Sequence, residues 1–359
     1  MRPHTSRYDP VARDPLLPVS VGLYGMALLA LLIARGNGVA GSVRMGVLDH
    51  LPFAAITIVG GALIFYLMHV VAVQRPRSPF RYIAADLRRQ RRAPDRLLQG
   101  AWLLLLLILF TTFFSAWKGM IPELKAFSWD QRLALIDRWI HGGTDPWVHL
   151  HAVFGAPWST WLINVLYHVW FFVMHFTYVW VAFWRGDPAV RMQYFIAFFA
   201  SWILLGTMGA IQFSSAGPCY FGKVVPGAVN PFAPLMSALE AADAVLPVWA
   251  LDVQRMLWAG YQADSGGITS AISAMPSMHV ASTMLITMLA WQLRFPLFRG
   301  LATIFLLVIL VGSVHLGWHY AVDGYAAILL TVPIWWLAGC AARTRLRRST
   351  PCARRGATG

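Results

Sequence analysis

Residues 98–117 read LQGAWLLLLLILFTTFFSAW and contain no charged side chain. A helix of about 20 apolar residues is long enough to cross the hydrocarbon core of a bilayer. Seven further apolar runs flank this one, at about 17–34, 51–73, 158–184, 192–213, 276–293, 297–316 and 320–342. The sequence therefore predicts an all-α membrane protein, a helical bundle with about eight transmembrane helices.

The composition of the whole chain favours the same class. Hydrophobic residues make up 58% of the 359 residues and charged residues only 12%, against about 25% charged residues in a typical soluble domain. This composition excludes a soluble enzyme and a disordered chain. Three cysteines without a CxxC pair do not make a disulfide scaffold.

The basic residues predict the orientation. With eight spans, both termini lie on one side, and only eight of the 29 basic residues fall on the other side: Arg35, Arg44, Lys118, Lys125, Arg132, Arg138, Lys223 and Arg255. Because cytoplasmic loops are enriched in Lys and Arg, we expect cytoplasmic termini and a multi-pass protein of the cell membrane. The net charge of +14 is then a topology signal and predicts no nucleic-acid partner.

This topology divides the chain into three parts. Residues 1–97 hold two helices and a basic cytoplasmic loop, residues 98–342 hold a core of six helices, and residues 343–359 form a basic cytoplasmic tail. The loops of the core on the side away from the termini are predicted to be extracytoplasmic. They are long and polar enough to hold a site.

Two polar stretches carry the chemistry: AMPSMH at 274–279 and HLGWHYAVD at 315–323. The first opens a predicted membrane helix, and the second closes one helix and opens the next on the same side. We therefore expect His279, His319 and Asp323 at one membrane face. Ionisable residues in membrane segments are functional candidates by default.

The spacing within each stretch suits phosphate chemistry. Pro276 fits the first turn of a helix, whose free N–H groups favour an anion, and Ser277 adds a hydroxyl. His319 and Asp323 are four residues apart, so on a helix they share a face. The carboxylate can then orient the imidazole as a nucleophile, which leaves His279 as a general acid.

These motifs resemble those of a known family. Pro276-Ser-Met-His279 and His319-x-x-x-Asp323 are similar to the second and third signature motifs of the type 2 phosphatidic acid phosphatase superfamily. The Tyr after His319 and the bulky Met278 resemble the inositol phosphorylceramide synthase (inositolphosphotransferase) branch. Residues 118–147 also resemble a stretch typical of bacterial members of that branch.

The resemblance implies roles for these residues. His319 would attack phosphorus and form a phosphohistidine, Asp323 would orient it, and His279 would protonate the leaving alkoxide and later activate the acceptor. Ser277, Met278 and nearby N–H groups would hold the phosphate without a metal or cofactor. The implied substrate is a membrane phospholipid or sphingolipid, with a polyol acceptor such as inositol.

One family motif is missing. The phosphatases carry Lys, six residues and Arg-Pro after the span at 192–213, but here residues 214–223 read SSAGPCYFGK. The phosphate must find its positive charge elsewhere, and Lys118, Lys223 and Arg255 are the candidates. Tyr220 is a further candidate for lining the site, and His315 for supporting the catalytic residues from behind.

Other functions remain open at this stage. A lipid phosphate phosphatase would use the same residues with water as acceptor. A non-enzymatic alternative is a transporter or a haem- or metal-binding protein that uses intramembrane histidines such as His168 and His175. A transporter predicts inverted repeats and a haem protein predicts paired histidines on facing helices, and the sequence gives no sign of either.

Overall fold

The computed structural model describes residues 10–92, 95–184, 186–263, 271–293 and 295–349. Within these ranges the chain is helical, with no strand, so the predicted all-α class is confirmed. The helices of nine or more residues are α1 (Leu16–Ala34), α2 (Leu51–Met68), α3 (Pro79–Arg92), α4 (Asp95–Leu124), α5 (Asp130–Ile140), α6 (Pro146–Phe154), α7 (Pro157–Phe183), α8 (Pro188–Ile203), α9 (Ala233–Asp243), α10 (Trp249–Gln262), α11 (Met278–Gln292), α12 (Pro296–His315) and α13 (Ala321–Ser349).

Seven of the eight predicted runs form helices that are long and apolar enough to cross a membrane. They correspond to α1, α2, α4, α7, α8, α12 and α13 with their extensions. The eighth run, 276–293, forms α11, whose 15 residues span about 22 Å, less than the hydrocarbon core of about 30 Å. The sequence did not predict this short helix, which begins after Pro276 and ends before Pro296.

The short α11 lies at the centre of the bundle. It packs against α7, α8, α12 and α13, and its buried residues point in all directions around its axis, which is the pattern of a core helix. Protein rather than lipid therefore surrounds most of it. The two N-terminal helices attach at the periphery, where α1 packs on α4, and α2 packs on α4 and α7.

Part of the predicted organisation falls outside the described residues. The basic tail predicted at 343–359 is described only to residue 349. The basic residues outside the described ranges are Arg2, Arg7, Arg185, Arg294, Arg354 and Arg355.

Candidate active site

The two histidine motifs meet at one end of the bundle. The backbone N–H of Ser277, just before α11, donates to the backbone carbonyl of Asp323, in the first turn of α13, at 3.2 Å. The rings of His279 and His319 lie edge to face, with their centroids 5.9 Å apart. The fold therefore brings together the histidines that the sequence separates.

His319 and Asp323 face each other, as their spacing predicts. His319 Nδ1 lies 3.4 Å from Asp323 Oδ2, slightly beyond hydrogen-bonding distance, as is common for catalytic pairs without substrate. Asp323 Oδ2 also accepts the backbone N–H of Tyr320 at 3.0 Å. The carboxylate of Asp323 is fully buried, so its position is fixed by protein contacts.

Burial keeps the His319 ring neutral. Burial first, and then the positive charge of Lys118, lower the pKa of His319 to about 3, against a hydrogen bond with the backbone of Ala274 that raises it. Because Nδ1 has no hydrogen-bond partner among the described residues, the bond with Ala274 belongs to Nε2. A neutral imidazole is the form that a nucleophile requires.

His279 lies between two aromatic rings of α7. Its ring stacks on Tyr167, with centroids 4.7 Å apart and planes 23° apart, and lies 4.0 Å from the centroid of Trp170. The indole N–H of Trp170 donates to the Ser282 hydroxyl at 2.8 Å. These contacts hold the His279 ring next to His319.

Of the three predicted cations, Lys118 is the one that reaches the two histidines. It lies on α4, and its Nζ donates to the backbone carbonyl of Ser273 at 3.3 Å. Its charge acts on both His279 and His319. Of the three predicted cations, Lys118 is therefore the candidate that remains for the place of the missing Arg-Pro motif.

Ser277 and Met278 lie at the start of α11, but their side chains have structural contacts. Ser277 is fully buried, and its hydroxyl caps α11 by accepting the backbone N–H of Val280 at 3.4 Å. The Met278 side chain is buried in the core and its sulfur packs close to Gly206. Any contact of this turn with phosphate therefore falls to backbone N–H groups.

Two acids on α5 position the turn that carries His319, and the sequence analysis did not single them out. Asp137 Oδ2 accepts the backbone N–H of Ala321 at 2.6 Å, and Oδ1 accepts that of Val322 at 2.8 Å. Asp137 thus caps α13 just before Asp323. Burial raises the pKa of Asp137 to about 6, while the bonds from Val322 and Ala321 lower it.

Asp130 lies seven residues, or about two helical turns, earlier on α5. It fixes the other side of the turn that carries His319. It accepts the Tyr320 hydroxyl at 2.9 Å and the backbone N–H of Gly217 at 2.8 Å. Gly217 has a positive φ of 103°, and a Cβ there would lie 2.6 Å from the carbonyl oxygen of Trp318, so only glycine fits. The spacing of seven between two acids was the available sequence signal.

The other two predicted cations lie elsewhere. Lys223 Nζ lies over the rings of Trp258, at 4.7 Å, and Tyr220, at 5.7 Å. Tyr220 donates from its hydroxyl to the backbone carbonyl of Gln254 at 2.9 Å. Arg255 is exposed and pairs with Asp252 at 2.7 Å. Their described contacts place Tyr220, Lys223 and Arg255 in the outer loop, not beside the histidines.

His315 joins three helices instead of supporting His319 directly. Its Nε2 lies 3.0 Å from the Thr160 hydroxyl, and its ring stacks on His151 with centroids 4.1 Å apart. His151 Nε2 in turn lies 3.1 Å from the His315 carbonyl. Burial lowers the pKa of His151, against that backbone contact, which raises it.

The histidines considered as haem ligands form hydrogen bonds with backbone carbonyls of their own helix. Nδ1 of His168 bonds to the carbonyl of Asn164, and Nδ1 of His175 to that of Phe171, both at 2.7 Å. In the described part of the chain, no group of three or more His, Cys, Asp or Glu side chains is placed to hold a metal ion.

A comparison with protein-family profiles matches residues 131–337 to the PAP2 superfamily. The chain belongs to the PAP2 superfamily. The match runs from α5 to α13 and includes both histidine motifs. No curated protein and no solved structure matched the chain in the corresponding searches.

Membership of the PAP2 superfamily supports a phosphatase or phosphotransferase activity on phosphate-bearing membrane lipids. It agrees with a multi-pass protein that has seven candidate spanning helices. The matched region contains α5 from residue 131 onward, so Asp137 belongs to it as well as His279, His319 and Asp323.

Proposed function

We propose that this protein is a membrane lipid phosphotransferase that acts through a phosphohistidine at His319. The group transferred is the phosphoryl-containing headgroup of a membrane lipid, and the acceptor is an alcohol such as inositol. One observation carries the proposal: the neutral His319 ring lies beside Asp323, near the Lys118 charge and 5.9 Å from the His279 ring.

In the first step, the Nε2 lone pair of His319 forms the bond to phosphorus. The attack requires the tautomer that carries its ring proton on Nδ1, so the proton leaves Nε2 as its contact with Ala274 breaks and Nδ1 is protonated towards Asp323, whose carboxylate stabilises the cationic ring. The P–O bond to the lipid breaks, and its electron pair leaves on the alkoxide. His279 enters this step protonated, a form that the anionic substrate phosphate stabilises, and it donates the proton that makes this alkoxide an alcohol.

In the second step, His279 acts as the base. It takes the proton of the acceptor hydroxyl, whose oxygen attacks phosphorus as the N–P bond breaks and returns its electron pair to His319. Lys118 balances the negative charge of the phosphoryl oxygens in both steps. Because proton and phosphoryl group are each passed on, the site returns to its starting state.

Burial keeps bulk water away from the reacting groups, which is a condition for transfer to an alcohol. His319 and Asp323 are 6% and 0% exposed, and aromatic rings cover His279. The resemblance of Met278 and of the Tyr after His319 to the inositolphosphotransferase branch favours the same reaction. Superfamily membership favours the alternative, hydrolysis of a lipid phosphate by the same cluster. On the charge bias of the loops, we place the site on the extracytoplasmic face.

The test is a product analysis with purified protein in lipid nanodiscs. Phosphatidylinositol and phosphatidic acid are supplied as donors, with and without myo-inositol, and products are identified by mass spectrometry. Transfer predicts a new headgroup ester that requires the alcohol, and hydrolysis predicts the water product in every mixture. If neither product exceeds that of the His319→Ala protein, the proposed function is wrong.

A further inference from the structure

The buried polar atoms without a hydrogen-bond partner among the described residues include Asn164 Nδ2, Tyr167 Oη and Gln254 Oε1. Their residues are 0%, 3% and 3% exposed. A buried polar group normally has a partner, so each unpaired group requires an explanation. One of these three groups lies on the ring that stacks on His279, which suggests that a ligand of the reacting centre completes them.

Contacts place two of these groups on one face of α7. Asn164 and Tyr167 are three residues apart on this helix, so their side chains are neighbours. The Tyr167 ring stacks on His279 at 4.7 Å. Of the two unpaired groups on α7, Tyr167 therefore lies beside the His279 imidazole that we propose as acid and base.

The third group faces them from α10. The Asn164 side-chain oxygen accepts the backbone N–H of Ala250 at 3.1 Å, and Gln254 lies one turn further along the same helix. Gln254 Nε2 donates to the backbone carbonyl of Leu316 at 2.9 Å, three residues before His319. The three residues are thus linked by contacts that run from His279 to the backbone just before His319.

The chemistry of the three atoms selects the ligand. Asn164 Nδ2 only donates, Gln254 Oε1 only accepts, and the Tyr167 hydroxyl does both. An acyl chain offers no hydrogen bonds, and an ester carbonyl cannot donate to Gln254. Hydroxyl groups both donate and accept, so a small molecule with several of them satisfies all three atoms.

We propose that Asn164, Tyr167 and Gln254 form a subsite for the hydroxyls of a polyol bound next to the reacting phosphate. This inference rests on the proposed function and adds its polyol specificity. In this arrangement Lys118 holds the phosphate, and the polyol binds at Tyr167, whose ring stacks on His279. The polyol is either a free acceptor or the headgroup of the donor lipid.

The variant Tyr167→Phe tests the subsite, because it removes the unpaired hydroxyl and keeps the ring that stacks on His279. Its matched control is Tyr178→Phe. Tyr178 lies on the same helix, is fully buried and also has an unpartnered hydroxyl, but it lies about 16 Å further along α7. A general effect of losing a buried hydroxyl would appear equally in both variants.

Binding is measured in nanodiscs on proteins that also carry His319→Ala, so that the result does not depend on turnover. The probes are myo-inositol, by saturation-transfer NMR, and phosphatidylinositol against phosphatidic acid, by competition with a labelled lipid. Losing one neutral hydrogen bond should weaken binding about 3- to 10-fold. A weaker affinity for free myo-inositol identifies an acceptor site, and a loss confined to the preference for phosphatidylinositol identifies a headgroup site.

The inference is overturned if Tyr167→Phe and Tyr178→Phe bind both probes as well as their parent does. That result would assign the three unpaired atoms to buried water. The proposed function fails separately, if the protein with an intact His319 neither transfers nor hydrolyses a lipid headgroup. Binding of polyol to the His319→Ala protein would survive that failure.

Discussion

Lys118 is the residue on which the electrostatics of the site depend. After burial, its charge is the second cause that keeps His319 neutral, and we propose that it holds the bound phosphate. The sequence offered Lys118, Lys223 and Arg255 on equal terms, because the choice depends on a contact between residues 118 and 273 that are 155 positions apart. That His279, His319 and Asp323 lie together was easier to predict, since short motifs carry these residues.

Replacing Lys118 by Met should therefore lower kcat/KM strongly. A charge-assisted hydrogen bond contributes about 1.5–3 kcal/mol, which corresponds to a loss of about 10- to 100-fold. Arg255→Met is the comparison, because Arg255 is exposed and paired with Asp252, and it should keep wild-type kinetics. Steady-state assays of the two purified variants check this. Equal losses, or none in Lys118→Met, would mean that another group holds the phosphate.

Helix α5 is the element that builds the site without contributing to its chemistry. In the sequence, residues 118–147 stood out only by their family resemblance, which assigned no role to the acids of α5. Asp130 and Asp137 bind backbone N–H groups 87 to 185 residues away, and backbone groups leave no pattern in a sequence. The positions of such hydrogen bonds are determined by tertiary packing alone.

We expect Asp137→Ala to reduce kcat while leaving KM for the lipid nearly unchanged. The change leaves the buried N–H groups of Ala321 and Val322 unpaired, which costs about 1–3 kcal/mol of unfolding free energy and loosens the turn that aims His319. Asp137→Asn keeps one carbonyl oxygen and should recover part of the activity.

The control for this prediction is Asp145→Ala. Asp145 pairs with Arg138 at 2.7 Å, so its loss should lower the thermal unfolding temperature while kcat stays close to wild type. Kinetics and thermal unfolding are measured on the same preparations. The outcome that contradicts the prediction is a loss of lipid affinity as large as the loss of kcat in Asp137→Ala, with no recovery in Asp137→Asn. That result would indicate general damage to the fold rather than lost positioning of His319.

Hydropathy predicts seven of the long helices of the molecule, because the length and composition of a span are local properties. Hydropathy did not predict that the central α11 is short, because four helices pack around it and determine its surroundings. Hydropathy also says nothing about which loops fold back over the site. The orientation in the membrane remains a prediction from the charge bias of the loops.

Single cysteines in a cysteine-free protein test the topology with a membrane-impermeant reagent in intact cells. Val229→Cys, 93% exposed in the loop before α9, should be labelled directly. Phe80→Cys on α3, 87% exposed, should be labelled only after permeabilisation. Thr344→Cys, on the exposed end of α13, should behave like Phe80→Cys if α11 crosses the membrane.

Two outcomes would contradict this topology. Labelling of Phe80→Cys but not Val229→Cys in intact cells would invert the orientation. Direct labelling of Thr344→Cys together with Val229→Cys would mean that α11 does not cross and that the protein has seven spans.

The most direct test of the account is to trap the intermediate on His319. Purified protein is mixed with a donor lipid labelled in its phosphate, quenched within milliseconds in base, and digested for mass spectrometry. We predict an acid-labile, base-stable adduct on the peptide that contains His319, carrying the headgroup if the transferred group is a phosphodiester. The His319→Ala protein should be folded, form no adduct and have no turnover. Full activity of His319→Ala, in a preparation free of host phosphatases, would contradict the histidine-nucleophile account.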